Sequence, residues 1–338
     1  MKYIFAGNYA DIKKKSDIRV YSWEDNVLEL VWEVDCPNPS FMAHANGRLY
    51  VVSELPDIGY ISAYAIDEVD GSLHLINRIT VPCRGLCHIT VTPDGKMLCA
   101  VAYNSGHVLI CDILPDGRIR QLCDIINHTG HGIHPRQASP HPHQALTNQS
   151  TSFWVPDLGL DQVISYKITP DQHIIPQSKI MIPPGEGPRH IAVHPQLSTI
   201  YVLTELMNHI LCYVQEDDTY HLKQVVSLAD KNEYASSAEI LISKDNRFLY
   251  ASVRGSDKIA CMSINQTNGL LSNLEYYHTP GSEPRMFTIS SDGLFLFVAL
   301  QNSGCVAIMR VNKKTGSLTD THSKVDVPSV CFVQYIDF

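Results

Sequence analysis

Short apolar runs set off by turn residues recur along the whole chain, and six of them are near-copies of one another. They are RLYVVSEL at 48–55, MLCAVAYN at 97–104, FWVPDLG at 153–159, IYVLTELMN at 200–208, FLYASVRG at 248–255 and FLFVALQN at 295–302. Taking the second residue of each opening apolar pair as an anchor selects Tyr50, Cys99, Trp154, Tyr201, Tyr250 and Phe297. KYIFAGNY adds Tyr3. Neighbouring anchors stand 47 to 49 residues apart, except for an interval of 55 between Cys99 and Trp154. Each unit reads alike: a β-rich run such as HIAVHP, a turn such as TPDGK or SKDNR, the anchor run, a third run such as QVISYKI, and a fourth, more polar run. The turn residues supply the positive-φ or side-chain-bonded positions that hairpins need. Apolar positions alternate with period two, and no segment sustains a helical period.

Four short strands per repeat at this spacing predict propeller blades, and seven anchors predict seven of them. The final stretch, VPSVCFVQYIDF, supplies a first strand without followers, while residues 1–34 supply three strands without a leader. One blade is therefore expected to be shared by the two termini, which closes the ring and leaves no long sheet edge. The expected fold is all-β, a single seven-bladed β-propeller domain of four-stranded antiparallel blades spanning residues 1–338.

Composition adjusts this picture little. Of 338 residues, 44% are apolar and 18% charged, the balance of an ordinary globular protein. A net charge of -9 argues against nucleic acid as a partner, which calls for a basic footprint. The N-terminus turns polar too soon for a secretory h-region, and no run reaches the length needed to span a bilayer. Ten cysteines form no CxxC pair, and several lie inside apolar runs, so a reduced, cytoplasmic protein is expected.

Equivalent positions of successive blades form rings, so a polar residue recurring at one offset becomes a cluster. Eleven residues before the anchors stand His88, His143, His190, Glu239 and Met286, and one residue earlier Cys87, Pro142, Arg189, Ala238 and Arg285. Four residues after the anchors come Gly7, Glu54, Tyr103, Leu158, Glu205, Arg254 and Gln301. The first set begins the channel-lining strands, and the two sets are expected at one mouth. A satisfied structural histidine is common, but three histidines and a glutamate at one offset, with two arginines beside them, exceed what loop polarity alone supplies.

The long interval carries HTGHGIHPRQASPHPHQ, with His128, His131, His134, His141 and His143. His128, His131 and His134 are expected on a mobile inserted loop, and His141 and His143 at the start of the next first strand, facing one way. Zinc would call for a spacing such as HExxH or a CxxC pair, and neither is present, so no metal and no cofactor is expected. The HxH at 141 and 143 is the best metal candidate in the chain.

HPHQ, VPDLGLDQV, GPRHIAVHP, TELMN, SAEILISKDNRFLYASVRGSDKIA and SEPRMFTISSDG together resemble the signature blocks of the lactonase propeller family. That family includes propeller-type 6-phosphogluconolactonases and 3-carboxy-cis,cis-muconate lactonizing enzyme. The resemblance runs through all seven blades. It implies a metal-free site of one histidine, two arginines and a glutamate, falling on His143, Arg189, Glu205 and Arg285; the blade offsets and the HxH pair add His88, His141, His190, Glu239 and Arg254 as expected substrate-binding residues. The implied activity is hydrolysis of a small anionic sugar lactone, 6-phospho-D-glucono-1,5-lactone foremost, a step of the pentose phosphate pathway. A cycloisomerase of the muconate type and a non-catalytic, ligand-sensing propeller are the alternatives. Either His143 or Glu205 can serve as general base. The chain departs from the family in the long histidine-rich insertion and in MAHANGRLYV, which lacks the usual Ser-Pro-Asp turn.

Overall fold

Every anchor of the repeat falls in the second strand of a four-stranded sheet. Tyr3 lies in Lys2–Asn8, Tyr50 in Arg48–Ser53, Cys99 in Met97–Ala102 and Trp154 in Ser152–Asp157. Tyr201 lies in Thr199–Thr204, Tyr250 in Phe248–Arg254 and Phe297 in Phe295–Leu300. Seven such sheets make a seven-bladed β-propeller with antiparallel blades. The structure is a computed structural model and describes residues 1–10, 16–229 and 234–338. The N-terminal sheet runs in the order Val330–Asp337, Lys2–Asn8, Asp17–Glu24, Val27–Asp35, so the termini share a blade as the strand count predicts.

The chain divides into two compact units. One comprises Met1, Gly7–Tyr21 and Leu30–Gly187; the other comprises Lys2–Ala6, Ser22–Glu29 and Pro188–Phe338. In the first, Tyr50, Val52 and Ile61 of one blade pack against Leu98, Ala100 and Leu109 of the next. In the second, Tyr201 and Leu203 pack with Leu249, Ala251 and Val253, and Tyr250 packs with Leu296 and Val298. Second strands such as Met97–Ala102 and Phe248–Arg254 are buried throughout. A strand covered on both faces reads as a continuous apolar run, so the expected alternation does not hold there. It survives on outer strands such as Leu318–Asp326, which keep one face in water.

The anchors recur as tyrosine for a specific reason. The hydroxyls of Tyr50, Tyr201 and Tyr250 donate to the carbonyls of Gly117, Gly269 and Gly316 at 3.1, 2.7 and 2.9 Å, each in the last hairpin of the following blade. Each link satisfies a buried hydroxyl and fastens one blade to the next. Gly269 has φ +72°, and a Cβ there would lie 2.4 Å from Thr199 Oγ1, so a side chain would be strained and would push Thr199 aside. In MAHANGRLYV, Asn46 and Gly47 take φ of 51° and 68°, the two successive positive values of a type I′ hairpin turn.

Candidate active site

The first strand of several blades begins with a β-bulge, and in most of them the bulge falls on residues selected by the repeat. Pro188 pairs with Thr204 but His190 with Leu203, which leaves Arg189 as the extra residue. Arg285 is extra between Pro284 and Met286, Cys87 between Leu86 and His88, and Ser40 between Pro39 and Phe41. A similar shift separates Ser237 from Ile240, around Ala238 and Glu239. A bulge bends the strand and re-aims a side chain. Strict alternation would send one of Arg189 and His190 to each face of the sheet; the bulge releases Arg189 from that constraint.

The second unit gathers the arginines and carboxylates. Arg189 Nε lies 2.9 Å from Glu205 Oε2, and Arg189 Nη1 donates to the Ala238 carbonyl. Arg254 Nη2 approaches the same Glu205 oxygen at 3.3 Å, and its Nη1 stands 3.7 Å from Glu283 Oε1. The Arg254 Nε and Nη2 also donate to the Ser236 carbonyl and hydroxyl at 3.1 and 2.7 Å. Half-buried Arg285 adds a third positive charge, felt by both Arg189 and His190. His190 Nδ1 lies 3.2 Å from Glu239 Oε1, which also accepts the Ile240 N–H at 2.9 Å.

Burial decides the charge states. It pulls the Arg189 guanidinium down to about 10, with Glu205 opposing and Arg254 and Arg285 adding to the shift, so Arg189 stays a cation at neutral pH. It pushes the Glu239 carboxyl up to about 8 against the pull of Arg189. His190 falls well below its ordinary value, through burial first and Arg189 second. At neutral pH Glu239 is therefore a carboxylic acid and His190 a neutral imidazole. Three guanidiniums then face the two ion-paired carboxylates of Glu205 and Glu283, which leaves a surplus positive charge for an anionic ligand. Glu239 Oε2 is buried without a hydrogen-bond partner among the described residues, the position of an acid proton awaiting an acceptor.

The first unit gathers the histidines. His88 is buried with its ring 3.8 Å from that of Phe41, and Ala145 N–H donates to His88 Nδ1 at 3.4 Å. His141 Nδ1 donates to the Tyr103 carbonyl at 2.8 Å, and its ring stacks on Tyr103 at 4.2 Å. His143 is buried and meets the same Tyr103 ring edge-on at 5.3 Å. The regular first strand starts only at Leu146, with Pro142 in an isolated bridge to Asp157. Pro140 and Pro142 have no N–H to give the ladder, so the strand expected to start at His141 begins later.

The insertion departs further from expectation. Far from lying on a mobile loop, His128 is buried: its Nδ1 donates to Asp157 Oδ2 at 2.6 Å, and its Nε2 meets the Tyr166 hydroxyl at 2.5 Å. Asp157 Oδ1 accepts the backbone N–H groups of His141, Gly159 and Leu160 at 2.8, 2.9 and 3.1 Å. A single-turn helix, Pro135–Gln137, is capped reciprocally by His134 and Gln137, and Gln137 Nε2 donates to the Leu158 carbonyl at 2.8 Å. Of the three loop histidines, His131 is exposed and His134 half-buried. Sequence reasoning missed Glu283 and Asp157. Asp157 in VPDLG repeats at no other blade, so an offset search passes over it.

The chain matches the family described as Lactonase, 7-bladed beta-propeller over residues 3–335. It belongs to that family. This lactonase-family chain is 33% identical to the 6-phosphogluconolactonase of Bacillus subtilis over 257 residues, 74% of its own length and 73% of the relative's. It is 32% identical to the 6-phosphogluconolactonase of Formosa agariphila over 307 residues, covering 85% and 86%. The periplasmic gluconolactonase of Pseudomonas aeruginosa shares the fold with a TM-score of 0.91 at 24% identity, over 100% of this chain and 99% of that one.

Proposed function

We propose that this lactonase-family protein hydrolyses 6-phospho-D-glucono-1,5-lactone to 6-phosphogluconate, without a metal ion. The observation that carries the reading is the buried pairing of Arg189 and Arg254 on Glu205, with Arg285 nearby and a protonated Glu239 behind. Lactone opening adds water to the ring carbonyl, places negative charge on the carbonyl oxygen, and breaks the ring C–O bond as the ring oxygen takes a proton. Arg189 and Arg285 supply preorganised positive charge for the oxyanion in a dry setting, where it acts most strongly. Glu205 holds the guanidiniums in place. Glu239 and His190, both uncharged, hydrogen-bond the lactone, and His143 carries the proton from the attacking water to the leaving oxygen. Arg254, held on the same Glu205 oxygen, adds to the positive charge, and His88 and His141 are assigned to substrate binding.

The two relatives named 6-phosphogluconolactonase support the substrate, and the cytoplasm, where the pentose phosphate pathway runs, is the compartment we assign. The test is turnover of 6-phosphogluconolactone, corrected for spontaneous hydrolysis and repeated after exhaustive chelation. We expect a clear rate above background that chelation leaves within about twofold, whereas a metal-hydroxide mechanism loses nearly all activity. No rate above background would end the proposal.

A further inference from the structure

We infer that the inserted loop forms an anion subsite, with Arg136 as its principal ligand and Tyr103 and His141 beside it. The choice of substrates for its test rests on the lactonase reading; the subsite itself rests on the loop. Residues 129–143 hold His131, His134, Arg136, His141 and His143 and no Asp or Glu, in a chain whose net charge is -9. Arg136 is the permanent charge of this stretch and meets no carboxylate within it, so in an acidic protein the insertion presents a positive site to a negative ligand.

The geometry is specific. The Arg136 side chain is exposed, and its Nη2 donates to the Tyr103 hydroxyl at 3.2 Å. Because that oxygen accepts from Arg136, the phenol's own proton lies on the side away from the guanidinium. Tyr103 lies flat on His141, with ring centroids 4.2 Å apart and an interplanar angle of 14°. His141 Nδ1–H donates to the Tyr103 carbonyl, which turns Nε2 toward the Ser139 hydroxyl at 3.4 Å and fixes the ring under Tyr103. The Arg136 guanidinium, the Tyr103 phenol and the Ser139 hydroxyl, all able to donate, therefore lie around the stacked Tyr103–His141 pair. The planar fork matches the oxygens of a phosphate monoester better than an ammonium would.

The loop is also held still, as a recognition element must be to avoid an ordering cost on binding. Buried His128 ties its beginning to Asp157 and Tyr166, Asp157 holds the His141 backbone, and buried Gln137 sits under the turn that carries Arg136. A loop serving only to fill space needs none of this basic bias at its surface.

The experiment compares Arg136→Gln and Arg136→Lys with wild type on two substrates, 6-phosphogluconolactone and unphosphorylated glucono-1,5-lactone. Arg136→Gln is expected to raise KM for the phosphorylated lactone at least tenfold with kcat within about threefold, and Arg136→Lys to recover part of the loss. On the unphosphorylated lactone both variants are expected to stay within about twofold of wild type. Equal effects on the two substrates, or none, overturn the inference. If wild type turns over neither lactone, the lactonase reading fails by itself, and calorimetric titration with 6-phosphogluconate and with gluconate decides about the loop. Binding of the phosphorylated acid that Arg136→Gln weakens at least tenfold, with gluconate unaffected, supports the subsite. Equal weakening of both acids, no weakening by Arg136→Gln, or no binding of 6-phosphogluconate to wild type overturns it.

Discussion

Arg189 and Arg254 converge on one oxygen atom, Glu205 Oε2, at 2.9 and 3.3 Å. The pair arises from two different offsets in two successive blades. Arg189 is raised from its strand by a bulge, and Arg254 closes the second strand of the next blade. Two buried guanidiniums repel one another unless a carboxylate lies between them, so Glu205 is the counter-ion of the cluster. Breaking a buried ion pair from one side leaves an uncompensated charge and costs roughly 3–5 kcal/mol. Glu205→Gln, nearly the same shape, is expected to lower the urea midpoint of unfolding strongly and to abolish turnover. A variant with wild-type stability would mean that the carboxylate acts only in chemistry.

The Glu239–His190 pair makes stability depend on pH from both sides. An unfolded glutamate ionises near pH 4.5, while the folded Glu239 keeps its proton to about pH 8. Between those values the unfolded chain has lost a proton that the folded protein retains, so stability falls as pH rises through this window and levels off above it. His190 works in the opposite sense: below pH 6.5 the unfolded chain takes a proton that the folded protein refuses, and stability falls as pH drops. Glu239→Gln should remove the alkaline slope, so that its Tm relative to wild type is higher at pH 8.5 than at pH 4.5. A Tm difference independent of pH would show that Glu239 is ionised in the folded protein.

Kinetics separate the two arginines at the bulges from the loop histidines. Replacing Arg189 or Arg285 by alanine should cost on the order of 10² or more in kcat/KM, with lysine recovering only part, because an ammonium lacks the bidentate fork. His143→Ala should cost roughly 10² to 10⁴ if the imidazole moves the proton. Exposed His131 is expected to tolerate alanine within about twofold, the usual result for a surface side chain away from chemistry. Buried His128 is not: removing it strands Asp157 and Tyr166, at roughly 1–3 kcal/mol for each buried group left unpaired. Dispensable Arg189, Arg285 and His143 beside an essential His131 would place the chemistry elsewhere.

The blade count and the strand shared by the termini were legible because each repeat writes the same four runs around one anchor. Arg189, His190, Glu239, Arg254 and Glu205 were legible as a cluster for the same reason, since a fixed offset becomes a fixed place. The bulges were not. Arg189 and Arg285 each follow a proline, yet nothing in PRH or PRM states that the ladder skips a residue there. The burial of His128 was hidden too, because its partners Asp157 and Tyr166 lie in the following blade and belong to no offset that repeats. Glu283 escaped for a related reason: it reaches Arg254 from a turn at φ 62°, outside the strand positions that the alignment compares.

The shared blade makes the C-terminal strand the most exacting test of the architecture. In Val330–Asp337, Val330, Cys331, Phe332, Val333 and Ile336 are buried, and the strand is hydrogen-bonded to Lys2–Asn8 from the opposite end of the chain. Removing residues 329–338 takes away that apolar surface, worth roughly 1.5–3 kcal/mol for each fully buried large side chain. It also leaves Lys2–Asn8, which is apolar over YIFA, as an unpaired edge of the kind that templates aggregation. The loss approaches the whole net stability of an ordinary domain, roughly 5–15 kcal/mol. We expect the truncated chain either to collect in the insoluble fraction or, when soluble, to melt without a sharp transition. Phe332→Ala, which removes one ring and keeps the strand, should cost about 3–5 kcal/mol and still unfold in one cooperative step. A truncated protein that melts as sharply and at the same temperature as the full chain would mean that the terminal strand does not close the blade.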